Sequence, residues 1–529
     1  MFRWFNKKIK FLLHQTDSNN QTPDEQDTEP VKEIKIKSHL ADNMEYLKEQ
    51  LGDDINLIYR SFRIGKENGR KALLVTVRGM IEKKEVNESI LKPLMEIHID
   101  MLNQSLINYI KESVISVIDI DIAENMSEVI SQLVSGKIIL FLEWEKKALI
   151  IGAPGWKERT IEEPITEAVV RGPREGFVES IETNMIMVRK RIRHPDLRFK
   201  TVTLGTKTHT RVVISYIEGI ANQEIVEEVK RRLENINTDF LYDSGLVEEY
   251  IEDAPFSIFP TVGITEKPDI AVSRILEGRV AIFVDNTPVI LTVPQLLINP
   301  FQKSDDYYSR PFYVSLIRLI RVLAFLTATM LPGVAIALMN FHTELIPTPL
   351  LISLVESREG VPFPLVYEVL FILLMYEWLR EAGIRMPRPI GQAVNIIGAV
   401  ILGETAVTAG FVGAPMVIII AIAAIASFII PFFYDTIAIL RLLFIIASSL
   451  FGFYGLLVLG MVIVTHLASL RSFGIPYTAP LFPLTFKDLT DSIIRLPIWM
   501  LLSRPKVLRP GNLIRQKWGG WTGDKNKRK

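Results

Sequence analysis

The chain has 529 residues, and its 60 basic and 60 acidic side chains give a formal net charge of zero that conceals a division near residue 310. Residues 1–310 hold 41 basic and 49 acidic side chains, whereas residues 311–529 hold 19 and 11. The absence of cysteine excludes disulfides, thiolate metal sites and a cysteine nucleophile. No two histidines have metal-ligand spacing, and neither a phosphate-binding glycine motif nor a nucleophile elbow occurs. The sequence therefore predicts no enzyme, no metal and no cofactor.

Residues 1–38 are predicted to form an amphipathic arm followed by a tether. A helix over residues 1–13 places four apolar side chains on one face and three lysines beside it, which is typical of a helix on an anionic membrane surface. A frayed basic terminus is the alternative. The longest apolar run there is three residues, too short for the core of a secretory signal. Residues 15–37 are polar and acidic, which indicates a disordered tether.

Residues 39–300 alternate helix and strand patterns, and the order recurs. Two blocks repeat at offsets of 140 and 142 residues, namely 79–88 with 219–228 and 135–143 with 277–285. This repetition predicts two related α/β subdomains, over residues 39–153 and 154–300. Chance similarity of two glycine-containing hairpins is the alternative. Short apolar runs predict one strand at 114–119 and another at 256–259.

The second subdomain begins with a connector whose apolar stripe over residues 177–192 predicts a helix. Between residues 171 and 211 there are ten basic and four acidic side chains. The basic side chains are not interleaved with aromatic ones, and the surrounding domain is acidic, so no nucleic-acid partner is expected. A salt-bridge surface between subunits or a solvated face fits better. The candidates for such a surface are Arg171, Arg174, Arg189, Arg191 and Arg193.

Residues 311–470 are predicted to form an all-α membrane domain. Spans are indicated by apolar runs over residues 322–344, 363–378 and 442–470. Residues 389–434 contain a single charge, Glu404, and are long enough for two spans or one broken helix. Four crossings are favoured, with 390–410 entering as a broken or re-entrant segment, and six crossings are the alternative. The last span is expected to be one long or tilted helix.

The placement of Lys and Arg predicts that both termini are cytoplasmic. The loop at 380–388 and the tail after residue 503 are basic, whereas the loops around 341–361 and 431–441 hold one Lys or Arg each. Residues 471–529, rich in proline and then basic, are predicted to form a cytoplasmic collar and tail. The cations expected to set topology or to snorkel as anchors at helix ends are Arg318, Arg321, Arg380, Arg385 and Arg388.

Four polar residues within the predicted membrane domain are candidates for an ion pathway. Glu404 shares a helical face with Thr408, and a carboxylate at mid-bilayer costs about 2.5–3.5 kcal/mol unless it faces protein or water. A hydrogen-bonded Glu at a helix break is the alternative. Glu368 has no obvious local partner, and an interfacial position near the outer end of a short span fits it slightly better. The amide of Asn395 is a further candidate, although such amides more often bond between helices.

Five long stretches resemble the A subunit of GerA-type spore germinant receptors: residues 162–193, 265–288, 305–312, 472–483 and 488–499. The resemblance extends over about residues 40–510. It implies a protein of the endospore inner membrane that oligomerises into the ion-conducting part of a receptor. It also implies two partners, a transporter-like B subunit that senses the nutrient and a C subunit that is a lipoprotein. The A-like membrane subunit of the stage V sporulation A operon has the same architecture and is the alternative within the superfamily.

Three functional hypotheses follow. The first is a nutrient-gated channel subunit whose duplicated domain assembles with other copies. The second is a secondary transporter, which broken spans near a Glu would suit, although no inverted repeat is evident. The third is a scaffold that anchors partners at the membrane.

Overall fold

Two five-stranded sheets precede the apolar helices of the chain. A computed structural model describes residues 34–52, 54, 56–65, 69–97, 105–152, 167, 169, 171–386, 403–485 and 488–516. The arm expected over residues 1–13 and the end of the basic tail lie outside these ranges. The first sheet and its helices form most of one compact unit. The second sheet, the apolar helices and the collar (described residues 471–516) belong to the other.

The first sheet has buried apolar strands at its centre. Its elements in chain order are α1 (Leu40–Leu51), β1 (Leu57–Ile64), β2 (Arg70–Val77), α2 (Lys83–Glu85), a π-helical turn (Val86–Leu91), α3 (Lys92–Glu96), α4 (Leu106–Tyr109), a second π-helical turn (Ile110–Val114), β3 (Asp119–Ala123), α5 (Met126–Val134), β4 (Ile138–Leu142) and β5 (Ala148–Gly152). The strand order is β1-β2-β4-β5-β3. Every residue of β4 and β5 is buried, which explains why their sequences are continuous apolar runs.

The second sheet repeats this arrangement. Its elements are α6 (Ile181–Arg191), β6 (Leu197–Leu204), β7 (Thr210–Ile217), α7 (Gln223–Glu234), α8 (Ser244–Ile251), β8 (Gly263–Thr265), α9 (Pro268–Leu276), β9 (Val280–Val284) and β10 (Ile290–Val293). The strand order β6-β7-β9-β10-β8 is that of the first sheet, element for element. The prediction of two related α/β subdomains ahead of an all-α region is therefore confirmed.

Two predicted strands are displaced. Residues 110–114 form a π-helical turn that buries Ile110, and β3 begins only at Asp119. Residues 256–259 contain no strand, and the edge strand is instead β8, paired with β10. Both errors concern short apolar runs, whose periodicity does not distinguish a strand from a buried helical turn or loop.

Helices cover both faces of the second sheet. On one face, α6 and α9 bury Val188 and Ile275 against Val213 and Phe283. On the other face, α7 and α8 bury a row of aliphatic side chains, and this core continues into the apolar helices. Local signals fix the helix starts, since the side chain of Asn222 accepts a hydrogen bond from the Glu224 amide and caps α7.

The C-terminal half is helical. Its helices are α10 (Pro311–Phe341), α11 (Thr348–Glu356), α12 (Leu365–Arg385), α13 (Ala414–Ser427) and α14 (Tyr434–Ser469), and residues 403–408 are also helical. Within the described ranges, two helical stretches are long and apolar enough to cross a membrane: Pro311–Phe341 and Pro431–Ser469.

Helix α14 folds back on itself at Gly452. A straight helix of its 36 residues would be about 54 Å long. Its two ends nevertheless contact consecutive residues, because Thr436 donates to the Ile258 carbonyl and His466 is hydrogen-bonded to Ser257. Gly452 has φ 57° and ψ −138°, which breaks the helix. The prediction of one long last span over 442–470 is therefore wrong, since this segment contains a helical hairpin.

The Lys and Arg placement predicts that the loop around 431–441 lies on the side opposite the α/β subdomains. This prediction is wrong. Phe433 packs against Phe259 and Phe301 at the second subdomain. Residues 431–436 therefore lie on the same side of the apolar helices as that subdomain. The prediction assumed that the last span crosses the apolar region once. Because α14 is a hairpin, its start and its end lie on the same side.

Candidate functional site at the base of the apolar helices

A buried ion-pair network joins the start of α10 to the segments before and after the apolar helices. Asp306 accepts hydrogen bonds from Arg318 Nε at 2.8 Å and from Arg321 Nη1 at 2.9 Å. Arg318 also donates to Asp491 Oδ1 at 3.1 Å, which brings in the collar. Arg318 is fully buried and Asp306 is 2% exposed. The predicted snorkelling of Arg318 and Arg321 is therefore wrong, because their charges are neutralised inside the protein.

Tyr307 and Arg495 extend this network across the collar. The Tyr307 hydroxyl donates to Asp491 Oδ2 at 2.8 Å, and Arg495 donates to the Ser309 carbonyl at the same distance. Burial, together with the negative charge of Asp491, raises the pKa of Tyr307 well above its usual range, so the phenol remains a donor. The segment between β10 and α10, the start of α10 and the collar are therefore joined by one network of polar contacts.

The segment 257–259 of the second subdomain touches both ends of the α14 hairpin. The Phe259 ring lies 6.4 Å from Phe433 and 6.3 Å from His466, measured between centroids. Ser257 Oγ is 2.9 Å from His466 Nε2, and Thr436 donates to the Ile258 carbonyl at 2.6 Å. This segment therefore connects the second subdomain to both arms of the hairpin.

A second charged cluster lies among α12, α13 and α14. Glu377 accepts from the Tyr434 hydroxyl at 3.0 Å and pairs with Arg380 at 3.0 Å. Arg441, only 1% exposed, lies 4.0 Å from Glu377 and donates to the Ala328 carbonyl of α10 at 2.8 Å. The predicted topology marker Arg380 therefore also belongs to a packed interhelical cluster. Arg385 pairs with Glu381 at 2.6 Å and is largely exposed.

Glu368 is buried at the opposite end of the helices. Its Oε1 lies 2.7 Å from Arg358 Nη2, and its Oε2 accepts the Gly413 amide at 3.0 Å. The expectation that Glu368 lacks a nearby partner is wrong, because Arg358, ten residues earlier in the loop before α12, lies beside it in the fold. This arrangement clamps the loop before α12 to the start of α13.

Glu404 and Thr408 lie together and are exposed in the single chain. The Thr408 hydroxyl donates to the Glu404 carbonyl at 2.9 Å, as expected for residues four apart on one helical face. Their segment lies beside α13, since a methyl group at Gly403 would be 3.8 Å from Val417. The predicted candidates Asn395 and Arg388 lie outside the described residues.

Comparison with known proteins decides the family. The family model described as "Bacillus/Clostridium GerA spore germination protein" matches residues 45–507. The chain belongs to the GerA family. It is 39% identical to spore germination protein KA of Bacillus subtilis over 92% of this chain and 90% of that protein. It is 37% identical to spore germination protein B1 of the same organism, over 92% and 100%, and 34% identical to GerLA of Bacillus cereus, over 90% and 97%.

One solved structure also resembles this GerA-family chain. It is the N-terminal domain of the A subunit of the Bacillus megaterium spore germinant receptor GerK3. The identity is 33%, the TM-score is 0.41, and the match covers 50% of this chain and 97% of that one.

The connector arginines of this GerA-family chain have different surroundings. Arg189 is buried and forms an ion pair with Asp54, and burial raises the pKa of Asp54 despite that pair. Arg189 is therefore not available as a free subunit contact, contrary to the prediction. Arg191 pairs with Glu175, and Arg193 donates to the Lys190 carbonyl. Arg171 and Arg174 are exposed.

Sequence reasoning missed the carboxylates that neutralise the GerA-family chain's buried arginines. Two arginines at positions i and i+3 near the start of an apolar helix share one face, and burial of that face requires nearby anions. Asp306 lies in the stretch 305–312, and Asp491 in the stretch 488–499, both of which carried the resemblance. Asp306 and Asp491 could therefore have been predicted as counter-charges for the buried arginines. The stretches that contain them were used only as evidence of family similarity.

Proposed function

We propose that this chain is the A subunit of a nutrient germinant receptor in the inner membrane of the endospore, and that copies of it assemble into an ion-conducting channel that triggers germination. A transporter-like B subunit and a lipoprotein C subunit are the proposed partners. Membership of the GerA family and the names of its relatives support a role in spore germination. Ion conduction is supported by the position of Glu404.

Glu404 is the observation that carries the channel proposal. It is exposed beside Thr408 in a domain built of apolar helices, whereas Glu368 and Glu377 have partners inside the chain. A lipid-facing carboxylate costs about 2.5–3.5 kcal/mol, so Glu404 should face a neighbouring copy or water. In an oligomer, Glu404 and Thr408 then line a shared polar pathway.

The contacts among the helices support six crossings rather than the favoured four. Helix α10 leads away from the second subdomain, and the two arms of α14 lead away and back. Helices α12 and α13 both lead toward the subdomain, because Glu368 and Gly413 meet at the far end, while Glu377 and Ala423 lie near Arg441. The described chain therefore leaves α12 on the subdomain side and enters α13 from the far side, which supports six crossings. With the subdomains cytoplasmic, both termini are cytoplasmic.

The experiment is electrical recording of the purified full-length chain in planar bilayers, alone and with its B and C partners. A steady current down an ion gradient is expected, and Glu404→Gln should change its conductance or selectivity. Glu359→Gln, which alters an exposed carboxylate in the loop before α12, should leave the current unchanged. Saturable solute uptake without steady current would indicate a transporter, and silence with both partners present would indicate a scaffold.

A further inference from the structure

A cavity of about 270 Å³ lies where the second α/β subdomain meets the collar. Helix α9 contributes Ser273 and Arg274 to its wall, the segment between β10 and α10 contributes Lys303 and Ser304, and the collar contributes Arg515. Three cations from three separate parts of the chain therefore line one cleft.

Arg274 and Lys303 each have another cation beside them as well as carboxylates. Arg274 lies close to Arg279, and burial together with this like charge lowers the pKa of Arg274 to about 10. Burial and the nearby Arg321 likewise lower the pKa of Lys303. In both cases the neighbouring arginine has a larger effect than any single carboxylate. Carboxylates near each cation act in the opposite sense, and the neighbouring arginine offsets part of that compensation.

Arg515 also has a cationic neighbour. Burial lowers the pKa of Arg504, and the positive charge of Arg515 lowers it further, which places these two guanidinium groups near each other. The third cation of the cavity therefore adds to the positive potential.

The two carboxylates of the cavity wall are occupied by other partners. Asp269 Oδ2 lies 3.7 Å from Lys267 Nζ and accepts the Tyr308 hydroxyl at 3.4 Å. Glu277 Oε2 lies 3.4 Å from Arg279 Nε. Neither Lys267 nor Arg279 lines this cavity. The wall therefore carries three cations and two carboxylates, and each carboxylate has a cationic partner outside the wall.

We propose that this cavity is a binding site for a phosphate group, held by Arg274, Lys303 and Arg515 with the hydroxyls of Ser273 and Ser304. Guanidinium groups form paired, charge-assisted hydrogen bonds to phosphate oxygens, and lysine adds a point charge. The bound group bridges α9, the segment leading into α10 and the collar. It therefore joins the cytoplasmic subdomain to the base of the membrane domain. The site does not depend on ion conduction.

Two sources supply this chemistry, an anionic phospholipid headgroup and a free phosphate. The cavity wall includes Ile498, which is 50% exposed, and its neighbour Trp499 is 46% exposed. Apolar side chains beside a cationic site suit a headgroup at the membrane surface. A soluble phosphate needs only the cations and hydroxyls, so the experiment must separate the two.

The test uses the full-length chain in a zwitterionic detergent. Inorganic phosphate should raise its thermal unfolding midpoint relative to chloride at equal ionic strength. Lys303→Gln and Arg515→Gln should each weaken phosphate binding roughly tenfold or more, because each removes a charge-assisted contact. Lys506→Gln, an exposed collar cation outside the cavity wall, should bind phosphate as the wild type does. An unchanged midpoint without phosphate shows that each variant is folded.

Native mass spectrometry after exposure to phosphatidylglycerol vesicles identifies the source. Lipid retained by the wild type and by Lys506→Gln, but lost from Arg515→Gln, assigns the site to a headgroup. A phosphate effect without retained lipid assigns it to a free phosphate. The proposal is overturned if neither phosphate nor lipid binds, or if the cavity variants bind as tightly as Lys506→Gln.

Discussion

The rings of Phe259 and Phe433 pack edge to face, with centroids 6.4 Å apart and planes at 81°. The contact joins the second α/β subdomain to the start of the α14 hairpin, and Phe259 is only 1% exposed. Phe259→Ala should lower the free energy of unfolding by about 3–5 kcal/mol, because it removes a buried aromatic ring. Phe256→Ala, in the same loop but fully exposed, should change it by less than about 0.5 kcal/mol. Thermal or denaturant unfolding of the purified chain measures both, and equal losses would contradict the packing described.

Asp306→Asn should destabilise the chain strongly. It leaves Arg318 and Arg321 buried without their shared counter-charge, and removing one partner of a buried ion pair costs about 3–5 kcal/mol. Glu249→Gln, on the exposed surface of α8, is the control and should be nearly neutral. Chemical denaturation compares the two. A neutral Asp306→Asn would show that Asp491 alone neutralises these arginines.

Glu248 should make stability fall as the pH rises. Its burial and the neighbouring Glu252 and Asp243 raise its pKa from 4.5 to about 7. The folded state therefore binds the proton more tightly, and this contribution is fully present below pH 4.5 and is lost as the pH rises to about 7. Glu248→Gln should remove this dependence and increase stability at pH 8 by roughly 1–3 kcal/mol. Unfolding curves of both proteins across this range measure the difference, and parallel curves would refute it.

Gly452→Ala should be strongly destabilising. Its φ of 57° is in the region that favours glycine, and a methyl group there would lie 3.0 Å from Phe341 Cβ. Backbone strain alone costs about 1–3 kcal/mol. Gly460→Ala is the matched control within α14, since no described atom lies within 4 Å of its added methyl group. That change should stabilise the helix by up to about 1 kcal/mol. A stabilising Gly452→Ala would be inconsistent with a turn at this position.

The hairpin also predicts two cross-links. Because the chain has no cysteine, an engineered pair of cysteines provides the only thiols that a cross-linker can join. A short bifunctional thiol reagent should join Ser257→Cys with His466→Cys, and in a separate variant Ile258→Cys with Thr436→Cys. Ser257→Cys with Ser449→Cys, near the turn, should not react. A straight α14 would allow only one of the first two pairs, so mass spectrometry that finds only one of them rejects the hairpin.

The α/β half of the chain could be predicted well because its signals are local. Repeated blocks gave the duplication, and the buried strands β4 and β9 stand out as continuous apolar runs. The membrane half was predicted less well because its deciding contacts are remote. The ion pairs of Glu368 with Arg358 and of Arg318 with Asp491 leave no periodic pattern in the sequence. The turn at Gly452 does not interrupt an apolar run either. Hydropathy measures how long an apolar stretch is and carries no information on whether it doubles back.

Both ends of the α14 hairpin contact the same short segment, residues 257–259. Two helices anchored to one loop keep their spacing when that loop moves. A displacement of this loop would therefore move the two arms together. Two arms anchored at opposite ends would instead slide past each other and break the close packing of Gly455 against Ala447. The hairpin is therefore anchored at one place, and we expect a displacement of residues 257–259 to reach its turn beside Phe341 as a movement of both arms.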